Sequence, residues 1–221
     1  MPELSSSLRP LAQRLFADRL ELAERFVALL AQEGPRRGLI GPREVDRLWE
    51  RHVLNCAVMI EGIDPATRTL ADVGSGAGLP GVVLAIARPD LEVTLIETMQ
   101  RRTLWLEDVV DRLGLGTEVL RARAEDLQGR RSFDAVTARA VAPLDKLARW
   151  TLPLVREGGE LLALKGESAA EELARTEEDL RALGATHCSI SRYGVGEVEV
   201  PTTVVHVRRG APTTRKGGPR A

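Results

Sequence analysis

The apolar, β-like runs of this chain end one after another in residues able to hold a ligand: Asp72, Glu97, Glu125 with Asp126, Arg139 and Lys165. The acids close the first three runs and the cations the next two. That division suggests a half suited to a cationic, hydroxylated cofactor and a half suited to an anionic or oxygen-rich acceptor. Just after Asp72 comes Gly74-Ser75-Gly76-Ala77-Gly78-Leu79-Pro80-Gly81, where glycines let bare backbone approach a ligand. Three readings compete for this turn. Residues 76–81 satisfy the dinucleotide pattern G-x-G-x-x-G, although Gly74 already ends the strand and Pro80 falls inside the pattern. S-adenosylmethionine has no pyrophosphate to cradle, but it carries an ammonium and a sulfonium that favour a carboxylate, and Asp72 supplies one. In the third reading the glycines serve only a tight turn and close helix–strand packing. Asp72 favours the second. Glu97, twenty-one residues after Gly76, stands where an acid accepts hydrogen bonds from both ribose hydroxyls. It supports adenosine binding without choosing the cofactor. Glu125 or the backbone beside it would hold the adenine amino group, while Arg139 and Lys165 face the acceptor. The bland alternative is a set of independent, solvated loop charges.

Bringing such residues to one edge takes a parallel sheet with ligands at its carboxyl ends. From Thr69 onward the pattern alternates strand and helix as that fold requires. Strands are expected at 70–73, 91–96, 117–120, 133–138 and 160–164, with helices at 79–87, 101–113, 143–154 and 168–183. Two late β-rich runs, 187–193 and 202–208, have Gly194, Gly196 and Pro201 between them and predict a hairpin with one antiparallel strand. The fold class is therefore α/β, a Rossmann-like, mostly parallel methyltransferase sheet. Ahead of it, Leu11, Leu15, Phe16, Leu20, Leu22, Phe26, Val27, Leu29 and Leu30 trace a helix over 10–33 that Gly34-Pro35 should end. A second helix is expected from Pro42 to about Glu61. These make a helical cap over 1–66, followed by the core over 67–210. A basic tail over 211–221, rich in Gly and Pro and without an acid, is expected to be disordered.

The remaining composition excludes more than it proposes. Of 221 residues 43% are apolar and 3% aromatic, so aliphatic packing dominates and base-stacking surfaces are scarce. A formal net charge of −1 excludes a uniformly basic nucleic-acid binder but leaves room for a local basic face. Cys56 and Cys188 lack metal-ligand spacing and read as free thiols of a reducing cytoplasm. No stretch has the apolar length of a signal peptide or membrane span. A cytoplasmic monomer without metal or membrane attachment is expected. The run that equips an enzyme to methylate an exocyclic amine is missing after the fourth strand. No cysteine closes a strand, and no His–carboxylate pair stands out as a base. His52 reads as a structural histidine or a substrate contact. An acceptor that is already nucleophilic, needing orientation more than deprotonation, survives these exclusions.

The segments ADVGSGAGLPGVVLAIARPD, LIETMQRRTLWL, RARAEDL, TARAVAPLDKLARW and LLALKGE resemble the bacterial small-subunit ribosomal RNA guanine-N(7) methyltransferases, also called glucose-inhibited division protein B. The similarity runs from about Leu22 to Val207. It departs at GLIGPREV, where many members have an Asn-Leu-Thr element, and at TARA, where SRA is commoner. The resemblance implies that S-adenosylmethionine is held by Gly74, Leu79, Ala124-Glu125 and Arg139, with Gly76 and Gly78 in the same turn and Asp72 and Glu97 as above. It implies a guanine in the 530 loop of 16S ribosomal RNA, free or in a small-subunit precursor, as the target. Ring nitrogen 7 carries an in-plane lone pair and needs no base to attack a sulfonium methyl. Arg139 and Lys165 would be the catalytic pair. Arg36, Arg37, Arg47, Arg51, Lys165 and the tail would bind phosphates. A methyltransferase of a small molecule and a non-catalytic adenosine-binding module are the competing readings.

Overall fold

A computed structural model describes residues 2–210; the tail expected at 211–221 lies outside them. Seven strands form one sheet: β1 (Thr69–Val73), β2 (Glu92–Glu97), β3 (Glu118–Arg121), β4 (Phe133–Arg139), β5 (Val155–Lys165), β6 (Ala185–Tyr193) and β7 (Thr202–Arg209). Their order is β3-β2-β1-β4-β5-β7-β6, parallel throughout except that β7 runs antiparallel to both its neighbours. The late hairpin thus supplies the antiparallel strand that its two β-rich runs and the Gly194, Gly196 and Pro201 between them predicted. The order reverses between β1 and β4, which opens a crevice beyond their carboxyl ends.

Residues of opposite parity feed two cores. Leu70 and Leu95 point to one face, Ala71, Val73 and Ile96 to the other, as the pleat dictates. The second face is covered by α7 (Leu144–Thr151) and α8 (Ala169–Ala182), through Leu147, Ala148 and Leu180. The first is covered by α4 (Gly81–Ala87) and α5 (Gln100–Leu113). The N-terminal helices α1 (Arg9–Phe16) and α2 (Leu20–Arg37) join that same core through Leu15, Phe16, Phe26 and Leu30. Cap and sheet therefore share one apolar interior. Among the described residues no helix is long and apolar enough to cross a membrane.

The cap differs from its expected form in two places. The first helix breaks at Ala17–Arg19, a 3₁₀ turn with Ala17 at φ +48°, and α2 then runs through Gly34-Pro35. Gly34 is kept for packing, because a Cβ there would stand 2.8 Å from Ile40 Cγ1. The helix stops instead at Gly38, left-handed at φ 64°, whose N–H reaches the Gly34 and Pro35 carbonyls. The second helix is a sequence of turns: 3₁₀ at Pro42–Arg47, π at Leu48–Val53, α3 at Leu54–Ala57, and 3₁₀ again at Val58–Gly62. Its carbonyls and side chains are claimed from outside. Thr202 Oγ1 donates to the Asn55 carbonyl at 2.7 Å, and the Asn55 amide donates to the Val200 carbonyl at 2.9 Å. A short helix, α6 (Ala124–Leu127), follows β3 in a stretch to which the sequence pattern assigned no element.

Candidate functional site

Parallel register lines up the strand ends. Val73 pairs with Ile96, Glu97 with Arg121, and Arg139 with Leu164, so Gly74, Glu97 and Arg139 emerge along one edge. Above β1 and β2 lies a cavity of about 400 Å³ whose walls include Gly74, Glu97, Arg102, Ala124, Glu125 and Val141. Beside it, beyond β4 and β5, a second cavity of about 330 Å³ is bounded by Asn55, Arg139, Leu164, Lys165 and Thr203. Ala140 and Val141 belong to both walls. Ala140 has φ +55°, a conformation that strains a residue carrying a Cβ, at the partition between the cavities.

The turn from β1 is built by three carboxylate and hydroxyl contacts. Ser75 Oγ donates to the Asp72 carbonyl at 2.8 Å. Asp72 Oδ2 accepts the Gly81 N–H at 2.9 Å, at the start of α4. Gly81 must be glycine for this approach, since a Cβ would lie 2.6 Å from that oxygen and 2.3 Å from Leu95 Cδ2. Glu97 Oε2 accepts the Gly76 N–H at 3.1 Å, while Oε1 takes the Thr98 and Met99 N–H groups at 2.7 and 2.9 Å. Gly74 and Gly76 turn with φ of 74° and 54°, which favours glycine. Trp105, buried on α5, donates its indole N–H to the Ala77 carbonyl at 3.1 Å and so pins the turn from below.

Of the residues expected to hold a cofactor, Gly74, Glu97, Ala124 and Glu125 surround the larger cavity. Glu97 Oε2 keeps a lone pair beyond the one Gly76 uses, which suits a ribose hydroxyl. Gly76 touches the site through Glu97. Gly78 and Leu79 turn the other way: a Cβ on Gly78 would meet Val82 and Phe26, and Leu79 packs on the first core. They shape the turn rather than the wall. Asp72 has no exposed surface, so it makes no direct contact with a ligand in the cavity. Its Oδ1 has no hydrogen-bond partner, and burial pushes its carboxyl up from 3.8 to about 7. That orphaned oxygen, with Glu97 nearby, fits a cofactor that brings positive charge.

Arg139 is anchored by the cap. Its Nη1 donates to Cys56 Sγ at 3.1 Å and its Nη2 to His52 Nδ1 at 2.9 Å, with the Arg51 carbonyl at 3.5 Å. His52 Nε2 in turn lies 2.9 Å from Glu44 Oε2. A His–carboxylate pair is therefore present, against the expectation from sequence, but the Nδ1 lone pair of His52 is already taken by the guanidinium. Burial, then the Arg139 charge, pushes the His52 pKa down. Lys165 is tied as well: its ammonium donates to Glu172 Oε2 and to the Ala142 carbonyl, both at 2.8 Å. Although burial opposes it, Glu172 is held below the usual carboxylate range by Lys165, the Leu144 N–H and Ser168. Lys165 thus fixes the loop after β4 more than it offers a free charge.

Val141 and Trp150 in the cavity wall carried no signal in the sequence, since apolar residues there look like core. Arg102, 3.7 Å from Glu97 Oε2, was equally silent as one arginine among many. Of the cations expected to bind phosphates, Arg37 pairs with Glu33 and stacks 5.4 Å over Trp105, Arg47 pairs with Glu199 at 2.8 Å, and Arg51 sits 3.8 Å from Glu44. In that set Arg36 alone has no carboxylate partner among the described residues. Exposed pairs such as Arg47–Glu199 are worth about 0–1 kcal/mol and can exchange for phosphate. No group of three or more possible metal-ligating side chains occurs among the described residues.

Comparison with known proteins places this geometry. The chain is 55% identical over 203 residues to a ribosomal RNA small subunit methyltransferase G of a Nocardioides species, covering 91% of this chain and 81% of that one. It is 52% identical over 208 residues to the protein of the same name from Pseudarthrobacter chlorophenolicus, covering 94% and 96%. Among solved structures, PigF with SAH shares the fold at a TM-score of 0.54 and 18% identity, over 68% of this chain and 53% of that one. The model of the GidB family, described as rRNA small subunit methyltransferase G, matches residues 19–199. Matched over most of its length and half-identical to relatives nearly end to end, the chain belongs to the GidB family of small-subunit ribosomal RNA methyltransferases.

Proposed function

We propose that the chain transfers the methyl group of S-adenosylmethionine to ring nitrogen 7 of a guanine in the 530 loop of 16S ribosomal RNA. The observation that carries this reading is the pair of cavities sharing Ala140 and Val141, one walled by Gly74, Glu97 and Ala124 and the other by Arg139. The first takes the adenosine end of the donor. Glu97 receives the ribose hydroxyls, the α6 edge at Ala124 and Glu125 meets the adenine, and the buried Asp72 supplies negative charge beneath the turn. When bound, the donor supplies an electrophilic methyl group. The second cavity takes the acceptor base, with Arg139 on its carbonyl oxygen or an adjoining phosphate.

A ring nitrogen with a free lone pair needs no proton removed, which agrees with His52 having its Nδ1 already engaged. The rate then comes from alignment and fixed charge. The test is methylation of ribosomal RNA from cells lacking the gene, using labelled donor, followed by nucleoside analysis. N7-methylguanosine mapped to the 530 loop is the expected product. Label in another nucleoside, or at an exocyclic amine, refutes the assignment.

A further inference from the structure

We infer that His52 is a positioning residue for Arg139: in its neutral form, with Glu44 accepting from Nε2–H, it presents Nδ1 as the acceptor that fixes the guanidinium at the edge of the acceptor cavity. This rests on the reading of Arg139 given above and extends it to two residues that line a smaller, 260 Å³ hollow with Arg51, Glu50 and Glu199. The geometry is directional. A carboxylate cannot donate, so the 2.9 Å contact of Glu44 Oε2 with Nε2 assigns that nitrogen its proton. Nδ1 is then the unprotonated nitrogen, and the 2.9 Å contact with Arg139 Nη2 runs from guanidinium to imidazole. Cys56 Sγ at 3.1 Å takes the other terminal nitrogen, so the plane of the guanidinium is held at both ends.

Protonation of His52 converts its acceptor into a donor aimed at a cation. The contact is lost, and the guanidinium keeps only Cys56 Sγ and the longer approach to the Arg51 carbonyl, too little to hold its plane. Every charge facing His52 enters the balance. Glu44, and more distantly Glu50 and Glu199 around the hollow, favour the imidazolium; Arg139 and Arg51 oppose it. Cys56, its thiol pushed up by burial, adds no charge at neutral pH. With the donor saturating at every pH, so that Asp72 stays ionised against it, single-turnover methylation is therefore level in the alkaline range and falls on acidification with a midpoint below the ordinary histidine value of about 6.5.

Two arms test this. In the first, nitrogen-15 NMR of the full chain follows the His52 ring. The Nε2–H tautomer is expected, with a pKa that rises in Arg139→Gln, where the opposing cation is gone, and falls further in Glu44→Gln. An Nδ1–H tautomer, or a pKa indifferent to Arg139→Gln, overturns the contact. In the second, the pH profile is measured in variants. His52→Leu loses tenfold or more of the single-turnover rate at pH 8, with the donor's Kd within about twofold; His52→Asn, whose amide oxygen can stand near the Nδ1 position, recovers much of it. Neither has an acid limb, and in Glu44→Gln the limb moves to lower pH. An acid limb unchanged in His52→Asn refutes the positioning role. If wild-type protein methylates no ribosomal RNA, the substrate reading falls, while the NMR arm still decides the Glu44–His52–Arg139 contact.

Discussion

Asp72 is a carboxylate whose surroundings penalise its own charge, and replacing it by asparagine measures that penalty. The side chain is fully buried, one oxygen bonds the Gly81 N–H, and the other bonds nothing. Burial lifts its pKa from 3.8 to about 7, with Gly81 and Ser75 pulling the other way. A folded pKa above the unfolded one means that the native state holds this proton more tightly. The associated stability is complete below pH 3.8 and is lost as pH rises through about 7. At about 1.36 kcal/mol per pH unit the loss is about 4 kcal/mol at pH 8 and about 2 at pH 5. Asp72→Asn keeps an oxygen for the Gly81 N–H and removes the charge. Without cofactor, the variant should melt higher than wild type at pH 8, by roughly 10 °C for a chain of this size, with about half that gain at pH 5. Its affinity for S-adenosylmethionine should fall tenfold or more at pH 8, because the donor's positive charge has lost its counterpart. Differential scanning fluorimetry and calorimetric titration read the two effects. A variant that melts lower than wild type at both pH values, or that binds the donor as well, would refute the account of Asp72 as a charge held in reserve for a cation.

Four further outcomes are expected. Glu97→Ala should weaken donor binding by more than one hydrogen bond, each worth about 1–3 kcal/mol when a partner is left unpaired, because the Gly76, Thr98 and Met99 N–H groups lose their acceptor along with the ribose; unchanged affinity by calorimetry would remove Glu97 from the site. Glu172→Ala should destabilise by about 3–5 kcal/mol in urea, as an ammonium left without its partner does, since the Lys165 side chain is only 8% exposed; a loss near zero would show that Lys165 is free to serve the acceptor. Arg36→Ala should lower the slope of log affinity against log salt for ribosomal RNA by about one. Arg37→Ala should instead lower the melting temperature, because Arg37 covers Trp105; equal salt slopes in Arg36→Ala and wild type would remove Arg36 from the RNA contact.

Legibility followed the physics of each feature. Strands buried on both faces must be apolar along their length, so the charges that close them stand out, and Asp72, Glu97, Arg139 and Lys165 were visible for that reason. What those charges do was less visible. Asp72 and Lys165 look alike in sequence with charges that meet a ligand, yet one lies wholly beneath the turn and the other is neutralised by Glu172 from α8. Partners of that kind come from other elements and have no fixed spacing. The broken second helix was hidden because Trp49, Val53, Leu54, Cys56, Ala57 and Val58 are buried on nearly every side, which erases the periodicity that separates α from π or 3₁₀ turns. Gly34-Pro35 misled because the proline falls where the helix is about to end, so the one hydrogen bond it removes is lost close to where bonding stops anyway.

That broken helix is where fold and chemistry join. A cation that orients an acceptor must be rigid, because a side chain free to choose rotamers gives back the alignment it is meant to supply. β4 fixes only the backbone of Arg139. The guanidinium is fixed by His52 and Cys56, four residues apart, at 2.9 and 3.1 Å, across the junction of the π turn and α3. The wider π turn, of a kind found often at functional sites, lies where both side chains reach one group while Trp49 and Val53 stay buried beneath. Glu44 on the preceding 3₁₀ turn sets the tautomer, and Asn55 and Thr202 bind the segment to the late hairpin. On the function proposed above, the cap therefore completes the acceptor side of the site. Gly74, Glu97 and Ala124 around the first cavity come from the sheet and its loops, whereas the contacts that aim Arg139 come from the cap.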